Sequence, residues 1–124
     1  MKIEIVDKPG FNYVYFRLID DNNDIVSLLV ATTKYTEIPR PLCSLFDNSC
    51  AYIGILKSYE RRHGYASQLL KRAIEYYNGK KIYLIASSLS HQIISDKDLI
   101  HFYEHNGFKC VKGDLTWGTI MLHQ

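Results

Sequence analysis

The chain has few cysteines and no long hydrophobic run. Cys43, Cys50 and Cys110 are an odd number and lack C-x-x-C spacing, which suggests neither a disulfide framework nor a zinc knuckle and favours a reducing, cytoplasmic location. No stretch approaches the roughly 18 apolar residues of a membrane span. Because charged residues interrupt the first seven positions, we also predict no signal peptide.

Neither sign of charge dominates. Fifteen Lys and Arg residues stand against 13 Asp and Glu, a formal net charge of +2. A dedicated nucleic-acid binder would carry a larger basic excess, so this class is not favoured. A local basic group of small extent is kept as an alternative nucleic-acid contact; it comprises Lys57, Arg61, Arg62, Lys71 and Arg72.

The composition is that of a folded protein, with 47% hydrophobic and 23% charged residues. A length of 124 residues suffices for one core and is too short for two ordinary domains. We therefore predict a single domain over residues 1–124.

Short alternating segments rich in Tyr, Val and Ile fill the first half of the chain. Between turn residues, such segments predict antiparallel strands. The predicted strands cover residues 2–6, 11–19, 25–32 and 50–56. Residues 34–49 include Pro39 and Pro41 and show no clean period, so they are predicted to form an irregular connection over one face of the sheet.

The hydrophobic period becomes helical after residue 64. One apolar stripe predicts a helix that ends at Gly79. The stripe is formed by Ala66, Leu69, Leu70, Ala73, Ile74 and Tyr77. Residues 81–87 then alternate as a buried strand. A second helix is predicted between the cap Ser95 and Gly107, and strands over 108–112 and 116–123 surround a turn at Gly113 and Asp114. The whole predicts an α+β fold: a mixed, mainly antiparallel sheet of six to seven strands with two main helices.

Residues 61–66 read R-R-H-G-Y-A and lie between a predicted strand and a predicted helix. A helix start offers unpaired N–H groups and a positive dipole end, and Gly64 allows a phosphate to approach the backbone. Arg61, Arg62 and His63 add positive charge. The loop lacks the glycines of a dinucleotide fingerprint and the ending of a P-loop, and an ordinary turn with solvated arginines explains it equally well by itself.

The surrounding residues add to this picture. Arg61-x-x-Gly64-x-Ala66 resembles the R/Q-x-x-G-x-G/A motif of the GNAT superfamily, the Gcn5-related N-acetyltransferases. Residues 99–108, L-I-H-F-Y-E-H-N-G-F, resemble the second signature of that family, a helix with a tyrosine followed by Gly-Phe and a strand. The two matches occur in the family's order.

The resemblance implies a three-layer α/β fold whose fourth and fifth strands splay apart, with acetyl-CoA as cosubstrate. Loop amides would hold the pyrophosphate, and the fourth strand would pair with the pantetheine arm and polarise the thioester. The cofactor-binding residues so implied are Ile55, Leu56, Lys57, Arg61, Arg62, His63, Gly64, Tyr65, Ala66 and Ser67. Tyr103 matches the family tyrosine that protonates the leaving thiolate; without the loop, a buried core tyrosine is the favoured interpretation.

The chain departs from the family pattern where the base is expected, because residues 50–57 contain no carboxylate. Neutralising a lysine ammonium of pKa about 10.4 costs roughly 4 to 5 kcal/mol at pH 7. The candidates for assistance are Glu37, Asp47, Glu60, His91 or a chain of waters.

Asp96 stands where the family often has an asparagine that binds the pantetheine arm, seven residues before the tyrosine. Asp96 or Ser95 offers a polar group there. Both residues are equally explained as the start of a helix, so the contact stays open.

Residues 7–10 alone join the first two predicted strands, where most GNAT chains have one or two helices. This predicts an open acceptor side, walled mainly by residues 34–49, that suits a protein lysine or amino terminus better than an enclosed small amine. The short front also resembles compact phage and mobile-element GNAT proteins, including an anti-CRISPR family. We therefore predict a cytoplasmic N-acetyltransferase, with a small-molecule amine acceptor or a catalytically inactive CoA-binding or partner-binding module as alternatives, and a homodimer paired through a strand edge left open.

Overall fold

The computed structural model describes residues 1–59, 64–87, 96–115 and 118–124. Along the chain these form β1 (Lys2–Val6), β2 (Val14–Ile19), β3 (Ile25–Thr32), β4 (Cys50–Ser58), α1 (Tyr65–Tyr76), β5 (Lys81–Ala86), α2 (Asp96–His105), β6 (Lys109–Leu115) and β7 (Gly118–His123). Within this part of the chain, one sheet has the strand order β1-β2-β3-β4-β5-β7-β6. Among the strands of the described residues, only the β4–β5 pair is parallel, which confirms the predicted mixed, mainly antiparallel sheet.

The first three strands form the predicted antiparallel meander. The Asp20 carboxylate accepts hydrogen bonds from the backbone N–H groups of Asn22 and Asp24, which fixes the predicted polar turn. The predicted start of the second strand at Phe11 is wrong, because β2 begins at Val14. Phe11 instead belongs to the turn after Gly10, where its N–H donates to the Lys8 carbonyl and its side chain is exposed.

Helix α1 follows the predicted apolar stripe. Leu69, Leu70 and Ala73 are buried, and they pack on β2, β3 and β4 in the main core. Gly79 adopts φ +86° as predicted. The unit β4-α1-β5 is a crossover between two parallel strands, and it places the start of α1 at the same end of the sheet as the end of β4.

Both helices lie on one face of the sheet, which we call the helix face. Leu99 and Tyr103 of α2 belong to the same core cluster as α1. Residues 34–49 cover part of the other face, which we call the open face. There they form two short 3₁₀ turns, Tyr35–Glu37 and Arg40–Leu42, and bury a second cluster with β4, β5 and β7: Ile38, Leu42, Phe46, Cys50, Tyr83 and Ile120. The predicted irregular connection is confirmed.

The predicted turn at Gly113 and Asp114 is wrong. Both residues lie within β6, which continues to Leu115, and Leu115 pairs with Gly118. Residues 116–117, and with them the predicted start of the last strand at Thr116, lie outside the described residues. β6 has two register shifts on either side of Lys112, so Gly113 lies in an irregular strand where a glycine signals a bulge as readily as a turn.

Candidate active site

The strands β4 and β5 pair over only part of their length. Their parallel register runs from Cys50 beside Lys81 to Ile53 beside Leu84, whereas β4 continues to Ser58. Beyond Ile53 the two strands separate, as the resemblance implied. A small open cleft of about 70 Å³ lies there, lined by Ile53, Gly54, Ile55, Leu56, Lys57, Leu84, Ile85, Ser87, Leu99 and Tyr103.

A β-bulge at Gly54 marks the point of separation. Val30 pairs with Ile55 and Ala31 with Ile53, so Gly54 is an extra residue in β4. A bulge bends its strand and increases the local twist. A Cβ atom at position 54 would lie 3.3 Å from Cε2 of Tyr52, so glycine lets the Tyr52 ring pack closely against β4. Gly54 was not among the predicted site residues, although a glycine inside a strand is a recognised bulge signal.

Helix α1 begins at this end of the sheet. Gly64 is its N-cap in a left-handed conformation, with φ +71°, and no acidic side chain lies in the first turn. The first N–H groups of a helix lack partners within the helix, and the dipole leaves positive potential at this end. Apart from its chain neighbours, no atom of the described residues lies within 4 Å of a Cβ built on Gly64. This helix start therefore has both the space and the polarity to accept an anionic group.

The predicted loop is only partly described. Arg61, Arg62 and His63 lie outside the described residues, as does Glu60. Gly64 is exposed, and Tyr65, Ala66 and Ser67 are half-buried in the first turn of α1. Their predicted contacts with CoA stay predictions.

Tyr103 lies in α2 and lines the cleft together with the predicted strand segment Ile55, Leu56 and Lys57. Its side chain is 5% exposed, and the rings of Phe102 and Phe108 stand edge-on to it, with ring centroids 5.3 and 5.8 Å away. Burial, and secondarily the nearby Tyr52, raise the pKa of Tyr103 to about 12. The structure thus brings the predicted acid and the predicted strand segment to one cleft.

The candidate bases occupy different places. Asp47 accepts hydrogen bonds from the backbone and hydroxyl of Ser49, which lower its pKa. It precedes the first residue of β4, at the end of the strand away from the cleft. Glu37 accepts hydrogen bonds from Tyr13 and Asn12 on the open face. Glu60 and His91 lie outside the described residues.

Asp96 is the first residue of α2, as its interpretation as a helix start requires. Its side chain and the whole of Ser95 lie outside the described residues, so the predicted contact with the pantetheine arm is not tested.

Several known proteins share this architecture. The anti-CRISPR protein AcrVA5 is similar with a TM-score of 0.64 and 20% identity, covering 92% of this chain and 100% of that one. The PaiA N-acetyltransferase of Thermoplasma acidophilum, solved in complex with coenzyme A, has a TM-score of 0.65 and 14% identity over 93% of this chain and 62% of its own. A spermidine N-acetyltransferase SpeG chimera from Vibrio cholerae and hSSAT has a TM-score of 0.58 and 16% identity, over 92% and 68%.

At these identities the likeness to solved structures shows the fold alone. No curated protein is significantly similar in sequence to this chain. The model of the acetyltransferase (GNAT) family, however, matches residues 3–108, which is most of the chain. The chain therefore belongs to the acetyltransferase (GNAT) family, whose cosubstrate is acetyl-CoA, as the sequence predicted.

Proposed function

We propose that the protein transfers the acetyl group of acetyl-CoA to a protein lysine or amino terminus, by direct transfer in a ternary complex. The observation that supports this most directly is the separation of β4 from β5 beyond Ile53 and Leu84, with Tyr103 lining the resulting cleft. A strand edge that pairs with no other strand on one side presents backbone donors and acceptors. An extended amide-containing chain such as pantetheine is a matching partner.

The cofactor would extend from this cleft to the start of α1. Ile55, Leu56 and Lys57 would contact the pantetheine arm, and the amides of Gly64 to Ser67 would hold the pyrophosphate. Arg61, Arg62 and His63 would supply supporting charge. The left-handed Gly64 with open space around it fits a bulky anion at this position.

The reaction needs a neutral amine and a proton for the departing sulfur. The acceptor ammonium first gives a proton to water, at a cost of roughly 4 to 5 kcal/mol for lysine at pH 7. Its nitrogen then bonds to the acetyl carbonyl carbon while the carbon–sulfur bond breaks, and a second proton leaves the nitrogen for water. Tyr103 donates its proton to the sulfur and regains one from water, so one proton is released overall.

The open face supports a protein acceptor. No helix lies between β1 and β2, which are joined by residues 7–13, so the acceptor side is walled mainly by residues 34–49. AcrVA5, whose full length the match covers, is a neighbour of the same compact size. The SpeG neighbour acts on spermidine, which keeps a small polyamine as the second candidate acceptor.

The described residues contain no helix long and apolar enough to span a bilayer. Cys43, Cys50 and Cys110 are free thiols. We include a cytoplasmic location in the proposal because reduced cysteines persist in reducing compartments.

The decisive experiment separates cofactor binding from turnover. Acetyl-CoA at 100 times its Kd should stabilise the protein by about 2.7 kcal/mol, visible as a thermal shift. Lysine peptides and spermidine should then be tested as acceptors. The readouts are release of the free CoA thiol and the mass increase of an added acetyl group, about 42 Da. Acetylated peptide is the expected product. A thermal shift without turnover on either acceptor would instead identify a CoA-binding module, and no shift would reject the cofactor site.

A further inference from the structure

A row of aromatic side chains crosses the open face beside the cleft. Thr32 of β3 pairs with Tyr52 of β4, and the pairing of Val14 with Ala31 brings Tyr13 next to Thr32 on the other side. Tyr13 and Tyr52 therefore flank Thr32 at two strand spacings, about 10 Å between their Cα atoms. Both tyrosines are half-buried, so they present part of their rings to solvent.

The middle of this row is fixed by hydrogen bonds of Thr32. The Thr32 hydroxyl donates to the Asn12 carbonyl at 2.5 Å and accepts from the Lys34 N–H at 3.0 Å. These bonds tie the segment before β2 and the start of the 3₁₀ turn Tyr35–Glu37 to β3. The segments next to Tyr13 and Glu37 are thereby held in place on β3, and a binding site needs side chains in fixed positions.

Glu37 gives the row a negative charge. Its carboxylate accepts a hydrogen bond of 2.7 Å from the Tyr13 hydroxyl and one of 2.8 Å from the Asn12 side-chain amide. The bond to Glu37 is also the largest cause of the raised pKa of Tyr13. A carboxylate accepts about four hydrogen bonds, so two such bonds leave capacity for a further donor.

Tyr52 lies between the row and the cleft in which acetyl transfer is proposed. Its ring packs against Gly54, where β4 leaves β5, and it contributes to the raised pKa of Tyr103 on the helix face. Tyr52 packs against the second cluster on the open face and Tyr103 belongs to the main core on the helix face, so the two phenols lie on opposite faces of the sheet. An acceptor that comes from the open face would pass Tyr52 before it reaches a group bound in the cleft.

We infer that the acceptor approaches from the open face as an alkylammonium, a lysine side chain whose charge is recognised by Glu37 and by the rings of Tyr13 and Tyr52. This rests on the proposed function, because it presumes that the acetyl group lies in the cleft. Aromatic faces attract a cation within about 6 Å, and an ammonium has three donors for a carboxylate. Glu37 is here a specificity-determining residue for the charged acceptor; it takes no proton in this proposal.

The test compares binding of two capped peptides to the full chain with CoA present. One is acetyl-glycyl-lysyl-glycinamide and the other has norleucine in place of lysine, which removes the ammonium and keeps the aliphatic chain. We expect the wild type to bind the lysine peptide at least ten-fold more tightly than the norleucine peptide. Glu37→Gln should lose most of this discrimination while keeping the thermal shift with acetyl-CoA.

Two controls isolate the local charge and the ring. Glu104→Gln makes the same charge change at an exposed position of α2 on the helix face and should leave the discrimination intact. Tyr52→Phe should retain lysine binding, whereas Tyr52→Leu should weaken it several-fold, because the ring and not its hydroxyl attracts the cation.

Equal discrimination in the wild type and Glu37→Gln would overturn the inference, as would a wild type that does not distinguish the two peptides. Both results leave the proposed function standing if acetyl-CoA still shifts the melting temperature and an amine is acetylated. Conversely, a missing shift with acetyl-CoA would reject the cofactor site whatever the peptides do.

Discussion

The two faces of the sheet differ in how they are covered. On the helix face, Phe16 and Leu29 are completely buried under α1, and Tyr103 is held among aromatic rings. On the open face, the neighbouring residues Tyr15 and Arg17 of β2 are only half-buried. Alternate residues of one strand thus meet entirely different surroundings.

This difference suggests a division of tasks. The helix face contributes most of the buried apolar area, so it carries most of the stability and fixes the position of Tyr103. The open face contributes less to folding and is free to present Tyr13, Tyr52 and Glu37 to an acceptor. Substitutions on the helix face should therefore alter stability or turnover, and those on the open face should alter acceptor binding.

The largest expected effect is a loss of stability. Two neighbouring residues of β2 test whether the helix face carries more of the stability than the open face. Phe16→Ala removes a fully buried ring that stands edge-on to Tyr76 at a centroid distance of 5.3 Å, and should lower the free energy of unfolding by about 3–5 kcal/mol. Tyr15→Ala, one residue away on the open face, should cost about 1 kcal/mol. Urea unfolding monitored by circular dichroism measures both. Similar losses would show that the open face is as well packed as the helix face.

Tyr103→Phe should reduce kcat ten-fold or more, about 1.4 kcal/mol or more, with little change in acetyl-CoA affinity, because the hydroxyl is proposed to act only in the transition state. A pKa raised to about 12 keeps the phenol protonated from neutral pH to about pH 10. Wild-type activity should therefore not decline through this range from loss of the Tyr103 proton. Steady-state kinetics at pH 7 to 10 provides the check, and unchanged kcat in Tyr103→Phe would remove this residue from the mechanism.

Substitutions of two glycines distinguish an effect on cofactor binding from an effect on helix stability. Gly64 and Gly79 flank α1 and both have positive φ. A Cβ at either position meets no atom within 4 Å in the part of the chain that the structure describes, chain neighbours aside. Either Gly→Ala change should cost about 1 kcal/mol of stability through backbone strain. Only Gly64→Ala should also weaken acetyl-CoA binding, about five-fold, since its methyl group would meet the phosphates. Calorimetric titration of both variants measures this, and equal affinities would place the pyrophosphate elsewhere.

Most of the fold was predictable because its signals are local. Alternation in the meander and the apolar stripe of α1 depend on residues close in sequence, and these elements were predicted nearly to their ends. The errors at Phe11 and at Gly113 have one cause. Aromatic and glycine residues occur in both strands and turns, and their state depends on the partner strand, as the register shifts of β6 show.

The candidate site was predictable only in part. The motif residues around Gly64 and Tyr103 were identified through resemblance. The place where β4 leaves β5 depends on pairing between distant segments, which local pattern does not determine. The row of Tyr13 and Tyr52 was missed for the same reason. The two residues are 39 positions apart in the sequence, and only the pairing of β3 with its two neighbours places them on either side of Thr32.

The smallest expected effect is the coupling energy of one ion pair, and it tests whether the open face is exposed in solution. Arg17 and Glu4 form an ion pair of 3.1 Å there, with side chains 36% and 42% exposed. An exposed pair of this kind contributes about 0.2–1 kcal/mol and is screened by salt. In a double-mutant cycle of Arg17→Ala and Glu4→Ala, we expect a coupling energy within this range at low salt and a smaller one at 0.5 M salt, a concentration at which the Debye length is only about 4 to 5 Å. A coupling that is larger, independent of salt and dependent on protein concentration would mean that a second copy covers this face, and then the acceptor could not reach Tyr13 and Tyr52 as inferred.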